Sequence, residues 1–123
     1  MKNILLVEDE FIIARMIENH LENMGFTSNQ IAMSGEQALE AFEKDNFDLL
    51  LVDIKLNGEL DGIETVERIR LQSPVPIIYL SGNSDQQTFE RSKKTQPVDY
   101  LLKPIKMDKL QESIQKALGV GKK

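Results

Sequence analysis

Cysteine is absent from this chain of 123 residues. Disulfide frameworks, thiolate zinc sites and cysteine nucleophiles are excluded together, and a reducing compartment is compatible with that. Long apolar runs are absent as well. The most hydrophobic stretches extend over a handful of residues, where a membrane helix needs about 20. The first of them, Ile4-Leu5-Leu6-Val7, meets acid at Glu8 before a signal-peptide core could form. Basic charge is in deficit: 15 Lys and Arg stand against 20 Asp and Glu, a net charge of −5. That balance argues against a surface that grips phosphate backbones by charge alone. Neither a fixed-period repeat nor a linker rich in Ser, Gly or Pro occurs. Gly-x-x-x-x-Gly-Lys, Gly-x-Gly-x-x-Gly and Gly-x-Ser-x-Gly are missing too. What is present is 41% apolar residues, enough to core one domain of this length. The expectation is a single acidic domain located in the cytoplasm.

Two patterns alternate along the chain. Short apolar runs at residues 4–7, 47–52, 77–80 and 98–102 are expected strands, and Phe26 to Ala32 is a weaker one. The run Phe47-Asp48-Leu49-Leu50-Leu51-Val52 is the most continuous, as expected when helices cover both sheet faces. Between them lie helical spacings. Phe11 to Met24 places Ile13, Met16, Ile17, Leu21 and Met24 on one face and stops at Gly25. Ser34-Gly35-Glu36-Gln37 opens a second helix as a capping box, with Ala38, Leu39 and Phe42 inward. Ile63, Val66 and Ile69 mark a third, and a polar fourth spans Ser84 to Thr95 with Ser84 as its cap. Met107 to Leu118 forms the last, with Leu110, Ile114, Ala117 and Leu118 inward and Gly119 at its end. Strands alternating with helices predict a parallel α/β sheet covered on both faces. In such sheets ligands bind beyond the carboxyl ends of the strands, where the strand order reverses.

Those ends carry polar groups although the strand interiors are apolar. The first strand ends in Glu8-Asp9, the third in Asp53, the fourth in Ser81-Gly82 and the fifth in Lys103-Pro104. If the first and third strands are neighbours, three carboxylates crowd one pocket and need a cation or shifted pKa values. An oxygen-only cluster suits a hard ion, with Mg2+ the natural candidate. A lysine supplies a point charge for phosphate, and a hydroxyl can donate to a phosphoryl oxygen. Together they fit phosphoryl transfer, which depends on positioning and charge stabilisation. Asp53, ending the most apolar strand, is best placed to act as the nucleophile and form an aspartyl phosphate.

This ordered set resembles the response-regulator receiver domain of two-component signalling, over residues 2 to about 118. The resemblance implies a flavodoxin-like (βα)5 three-layer sandwich with strand order 2-1-3-4-5, spanning residues 1–119, with 120–123 as a tail. It implies that Asp53 accepts a phosphoryl group from a histidine kinase or phosphotransfer protein. Glu8, Asp9, Asp53 and the backbone carbonyl of Lys55 would hold Mg2+. Lys103 would contact the phosphoryl group, with the Lys103-Pro104 peptide cis. Ser81 and Tyr100 stand at the switch positions, and Lys55 and Asn83 at positions that tune phosphoryl lifetime. The helix 4–strand 5–helix 5 surface would then change for a downstream partner or output domain. No direct contact with nucleic acid or membrane is implied, and no enzyme activity beyond phosphoryl acceptance and slow autodephosphorylation. No output domain follows the last helix, so the chain is expected to act alone or to be one domain of a longer protein. Two stretches depart from the family pattern. The loop from Ile54 to Gly62 is one residue longer than its commoner form, and Lys94-Thr95-Gln96-Pro97-Val98 replaces a small residue followed by Gly-Ala.

Each residue also has a plainer reading. Asp53 alone would pass for a loop acid, Glu8-Asp9 for a cap of the first helix, and Lys103 for a solvated lysine. Tyr100 lies on the strand face opposite Leu101 and could be simple packing. His20 has no ligand pattern around it, and Glu64, Glu67, Arg68 and Arg70 read as a solvated helix face. Three rival classes would share parts of this pattern. A receiver-like binding module that is never phosphorylated would have no need of Asp53 and Lys103. A flavodoxin-type redox carrier would suffer repulsion between its flavin phosphate and the acids after strand one. A Mg2+-dependent phosphatase would carry a second acid where Lys55 stands.

Overall fold

The computed structural model describes residues 2–82 and 85–119. Five strands and five helices alternate: β1 (Asn3–Val7), α1 (Phe11–Asn23), β2 (Ser28–Ala32), α2 (Gly35–Lys44), β3 (Leu49–Asp53), α3 (Gly62–Arg70), β4 (Ile77–Ser81), α4 (Gln86–Lys93), β5 (Asp99–Leu102) and α5 (Met107–Leu118). All pairings are parallel, in the order β2-β1-β3-β4-β5. Ile4 pairs with Leu49 and Val7 with Val52, so β1 and β3 end side by side. The strand order reverses between them, because β2 lies outside β1.

Strand alternation sorts the apolar residues into two cores. Leu5, Val7, Leu50, Val52, Ile77 and Tyr79 face α2 and α3, meeting Ala38, Ile63, Val66 and Ile69. Ile4, Leu6, Leu49, Leu51, Ile78 and Leu80 face α1 and α5, meeting Ala14, Ile17, Leu21, Leu110 and Ile114. β3 and β4 are buried at every position, which is why they read as unbroken apolar runs. Among the described residues no helix is long and apolar enough to cross a membrane.

Several expected boundaries shift. β2 begins at Ser28, not Phe26, and β5 at Asp99, although the Val98 N–H still bonds the Ile77 carbonyl at 2.7 Å. β3 begins at Leu49, because Asp48 turns to bond both the N–H and the carbonyl of Asn3. On α1 the buried stripe is Ala14, Ile17 and Leu21, and Met16 is half exposed instead of inward. Ala14, small and not conspicuous in a hydrophobic count, is fully buried in the core that holds Ile4 and Leu6. α4 is shorter than expected; its cap is Asp85, whose carboxylate accepts the Thr88 N–H at 2.7 Å. Ser84, expected in that role, lies outside the described residues, as do Asn83 and residues 120–123. The capping box expected at Ser34 is half made: Ser34 accepts the Gln37 N–H, while the Gln37 side chain accepts from Met33.

The longer loop after β3 closes on Gly62. Its N–H donates to the Ile54 carbonyl at 2.7 Å. A Cβ built on Gly62 would stand 2.2 Å from the Asp53 carbonyl oxygen and 2.8 Å from the Ile54 Cα. Both obstacles are backbone, so neither can swing aside. Gly62→Ala is expected to lower stability by about 2–3 kcal/mol through overpacking and to displace Asp53; urea denaturation measures the first effect. An unchanged midpoint would show that the contact relaxes at no cost.

Candidate functional site

Three strand ends deliver the candidate residues to one rim. Glu8 follows β1 and is fully buried. Its Oε2 accepts the Glu10 N–H at 3.1 Å, and its Oε1 meets Lys103 Nζ at 3.1 Å. Asp53 closes β3 with 4% exposure, its Oδ2 also 3.1 Å from Lys103 Nζ. Lys103 therefore bridges two carboxylates from strands remote in sequence, with its side chain 19% exposed. Its backbone is placed by β4: the Lys103 N–H donates to the Ser81 carbonyl at 2.7 Å. The Lys103-Pro104 peptide is cis.

Asp9 does not cap α1. The cap position belongs to Glu10, which makes no side-chain cap bond. Asp9 instead accepts the Asn57 N–H at 2.9 Å, tying the rim of β1 to the loop after β3. That loop is also held by Glu36, which accepts from the Glu59 N–H, and by a complete capping box between Asp61 and Glu64. Gly58 takes a left-handed φ of 104°, which suits glycine. The Lys55 N–H lies 3.4 Å from Asp53 Oδ1, and its side chain is exposed.

Electrostatics follow from the crowding. Burial, reinforced by the charge of Asp53, pushes Glu8 up to about 7; the Glu10 N–H and Lys103 oppose that rise. Burial alone would lower Lys103, but the charges and hydrogen bonds of Asp53 and Glu8 outweigh it and hold the ammonium above its ordinary value. Glu8, Asp9 and Asp53 each place a carboxylate oxygen within 4.8 Å of the others. Three hard oxygen donors at that spacing fit a divalent cation of the Mg2+ kind. Over them opens a cleft of about 390 Å3 whose wall includes Asp9, Asp53, Asn57, Gly82 and Lys103.

Ser81, Tyr100 and His20 are not among the residues that wall this cleft. Ser81 ends β4 with 3% exposure. Tyr100 is half buried on β5, on the opposite face from Leu101 as alternation requires. It pairs in register with Tyr79, their ring centroids 6.4 Å apart, and packs edge-on against Phe89 of α4 at 5.1 Å. His20 is half exposed on α1.

The model of the response regulator receiver domain matches residues 4–115 of this sequence. The chain belongs to the receiver domain family. Receiver domains are the signalling domains of two-component systems, and the observed CheY-like order of strands is the fold expected for one. Among similar proteins is the transcriptional regulatory protein ZraR of Escherichia coli K12, 35% identical over 118 residues, which are 95% of this chain and 26% of that protein. Another is the transcriptional regulatory protein CrdR of Helicobacter pylori, 28% identical over 94% of this chain and 54% of that one. The receiver domain thus spans about a quarter to a half of the length of these relatives. A CheY-like receiver domain protein from Methanospirillum hungatei superposes with a TM-score of 0.90 at 28% identity, covering 97% of this chain and 94% of that one. The N-terminal domain of a three-domain response regulator from Carboxydothermus hydrogenoformans gives 0.88 at 30% identity, over 97% and 95%.

Three features of this receiver domain were not anticipated. Gly62 reads in the sequence only as the end of a loop. Asn57 supports Asp9 through its backbone N–H, which no side-chain pattern reveals. Arg70, read as a solvated charge, donates to the carbonyls of Val75 and Thr95 at 2.6 and 2.8 Å.

Proposed function

We propose that this receiver domain takes a phosphoryl group onto Asp53 from a partner's phosphohistidine. The observation that supports this reading is the meeting of Asp53, Glu8, Asp9 and Lys103 beneath an open cleft. An Asp53 carboxylate oxygen attacks phosphorus; the new O–P bond replaces the P–N bond, and the freed imidazole nitrogen takes a proton from solvent. Glu8, Asp9 and Asp53, with the Lys55 backbone carbonyl, would hold Mg2+, which when bound offsets charge on the phosphoryl oxygens. Lys103 leaves its present carboxylate contact to meet the added charge, close to −2 at neutral pH by analogy with phosphoserine. Ser81 donates its hydroxyl to a phosphoryl oxygen, drawing the β4–α4 loop inward. Tyr100 then turns toward the space released, and the α4–β5–α5 surface changes for a partner or output domain. Lys55 and Asn83, two residues past Asp53 and two past Ser81, tune how long the phosphoryl group lasts; Asn83 lies outside the described residues.

The change is a population shift between two states, needing a coupling of about 1–3 kcal/mol. The same reading makes the domain a cytoplasmic signalling module with no turnover of an external substrate. Its counterparts are a histidine kinase or phosphotransfer protein on one side and a downstream protein on the other, without nucleic acid or membrane. Incubation with a small acyl phosphate and Mg2+, followed by intact mass, tests it: the chain gains the mass of one phosphoryl group. An unmodified chain would favour the alternative, a receiver-like module that binds partners without being phosphorylated.

Metal removal gives a second test. Excess chelator is expected to bring labelling to background, and added Mg2+ to restore it. Equal labelling with and without chelator would separate the carboxylate cluster from the reaction.

A further inference from the structure

The loop from Ile54 to Gly62 is one residue longer than the commoner family form. Its two ends are anchored separately. The Ile54 N–H donates to the Leu80 carbonyl at 3.1 Å, and the Asp61–Glu64 capping box closes the far end. The middle, Asn57 to Glu59, is exposed. Two carboxylates from different elements hold it. The Asn57 N–H donates to Asp9 Oδ2 at 2.9 Å, and the Glu59 N–H donates to Glu36 Oε2 of α2 at 3.2 Å. Such bonds to a carboxylate are charge-assisted and stronger than neutral ones. Gly58 lies between the two donors, and a Cβ built there would stand 3.1 Å from Glu36 Oε1. The missing side chain lets the glutamate come up to the loop.

Packing fixes where Glu36 stands. α2 starts at Gly35, where a Cβ would collide with Thr65 Oγ1 and stand 2.9 Å from the Leu60 Cβ. Thr65 is fully buried in α3, and its hydroxyl donates to the Asp61 carbonyl at 2.8 Å. The first turn of α2 is therefore wedged against the start of α3 and the end of the loop. An acid in a first helical turn also suits the helix dipole, but that role needs no bond to the loop.

We propose that Glu36 is a positioning residue for the candidate metal centre: it holds the loop from the α2 side, so that the Asn57 N–H stays on Asp9. A carboxylate that gives an oxygen to a metal is oriented by the hydrogen bonds it accepts. Asp9 is the least buried of the three acids, so it depends most on such a partner. Lys55, whose backbone carbonyl is a proposed ligand, lies two residues before Asn57 and belongs to the same loop. Glu36 acts through the backbone of residues 57–59, without touching the metal. The inference rests on the reading of Glu8, Asp9 and Asp53 as a Mg2+ site, not on phosphoryl transfer.

Calorimetric titration of the whole chain with MgCl2, with no phosphodonor present, tests it. Glu36→Ala is expected to weaken Mg2+ binding by about 10-fold, the scale for losing a group that orients a ligand. Its urea midpoint stays near that of the wild type, because Glu36 is exposed. Amide exchange without metal is expected to quicken at residues 57–59 and to stay unchanged in β1 and β3. Glu36→Gln keeps an oxygen for the Glu59 N–H and is expected to restore wild-type binding. Glu40→Ala, which removes another exposed acid of α2, is expected to bind as the wild type does. Wild-type affinity in Glu36→Ala would overturn the positioning role and leave the metal site standing. An equal loss in Glu36→Gln would assign the effect to charge and overturn the role as well. A wild-type chain that takes up no Mg2+ would overturn the metal reading of the acids, and this inference with it.

Discussion

Asp53→Asn is expected to fold normally and to take up no phosphoryl group. Asparagine preserves the shape at a position that is 4% exposed, and its amide oxygen can still accept from Lys103. Part of the upward push on Glu8 comes from the charge of Asp53, so neutralising Asp53 relieves crowding instead of creating it. What disappears is the nucleophile, because an amide oxygen does not form the aspartyl phosphate. Removing the group that acts covalently lowers rates by about 10³-fold or more. Intact mass after treatment with acyl phosphate and Mg2+ would show a phosphorylated wild type and an unmodified variant. A fully labelled variant would place the acceptor elsewhere, and the role assigned to this cleft would fall with it.

Lys103→Ala is expected to have two separable effects. The first is on stability. Lys103 lies 3.1 Å from a carboxylate oxygen of Glu8 and of Asp53, both nearly or fully buried. Breaking a buried pair from one side costs about 3–5 kcal/mol. The lower end applies here, because the lysine side chain is 19% exposed and Glu8, pushed up to about 7, can take up a proton. The second effect is on coupling. Some labelling by a small acyl phosphate persists, since the acceptor and the acidic cluster remain. The conformational response is lost, because no cation moves to the phosphoryl group. Lys103→Arg separates the two: the charge is restored and much of the stability with it, but the broader guanidinium does not reproduce a point contact. Urea melts report the first effect, and segment-resolved exchange over α4 and β5 with and without labelling reports the second. A Lys103→Ala chain that responds to labelling as the wild type does would remove the lysine from the proposed mechanism.

Both expectations began as positions in a linear pattern. Continuous apolar runs at residues 49–52 and 77–80 announced strands covered on both faces, and both are buried throughout. The polar residues that interrupt those runs mark strand ends, because a charge inside a covered sheet has no solvent. Glu8, Asp53, Ser81 and Lys103 could be placed at one rim for that reason before any distance was known. Helix faces were less legible. Met16 looked inward by hydrophobicity and is half exposed, while Ala14 packs against the sheet. A small side chain can be fully buried and still add little to a hydrophobic count. The start of α4 is hard to read in the sequence for a different reason: Ser84 and Asp85 are both good caps, and the carboxylate of Asp85 is the one that accepts the Thr88 N–H.

The sequence by itself determined the layered α/β fold, the parallel sheet and the gathering of three acids and one lysine at its carboxyl edge. The period of burial is written into successive residues, and strands joined through helices long enough to cross over pair in parallel. Only the tertiary structure decided that one lysine bridges Glu8 and Asp53, that Asp9 turns to the Asn57 N–H, and that Gly62 leaves room for the Asp53 carbonyl. It alone decided that Arg70 and Tyr79 both bond Thr95, just past the end of α4. Each of these joins residues far apart in the chain through a hydrogen bond or a steric limit of a few ångströms. Such limits are set by how the elements pack in three dimensions, and no local pattern encodes them.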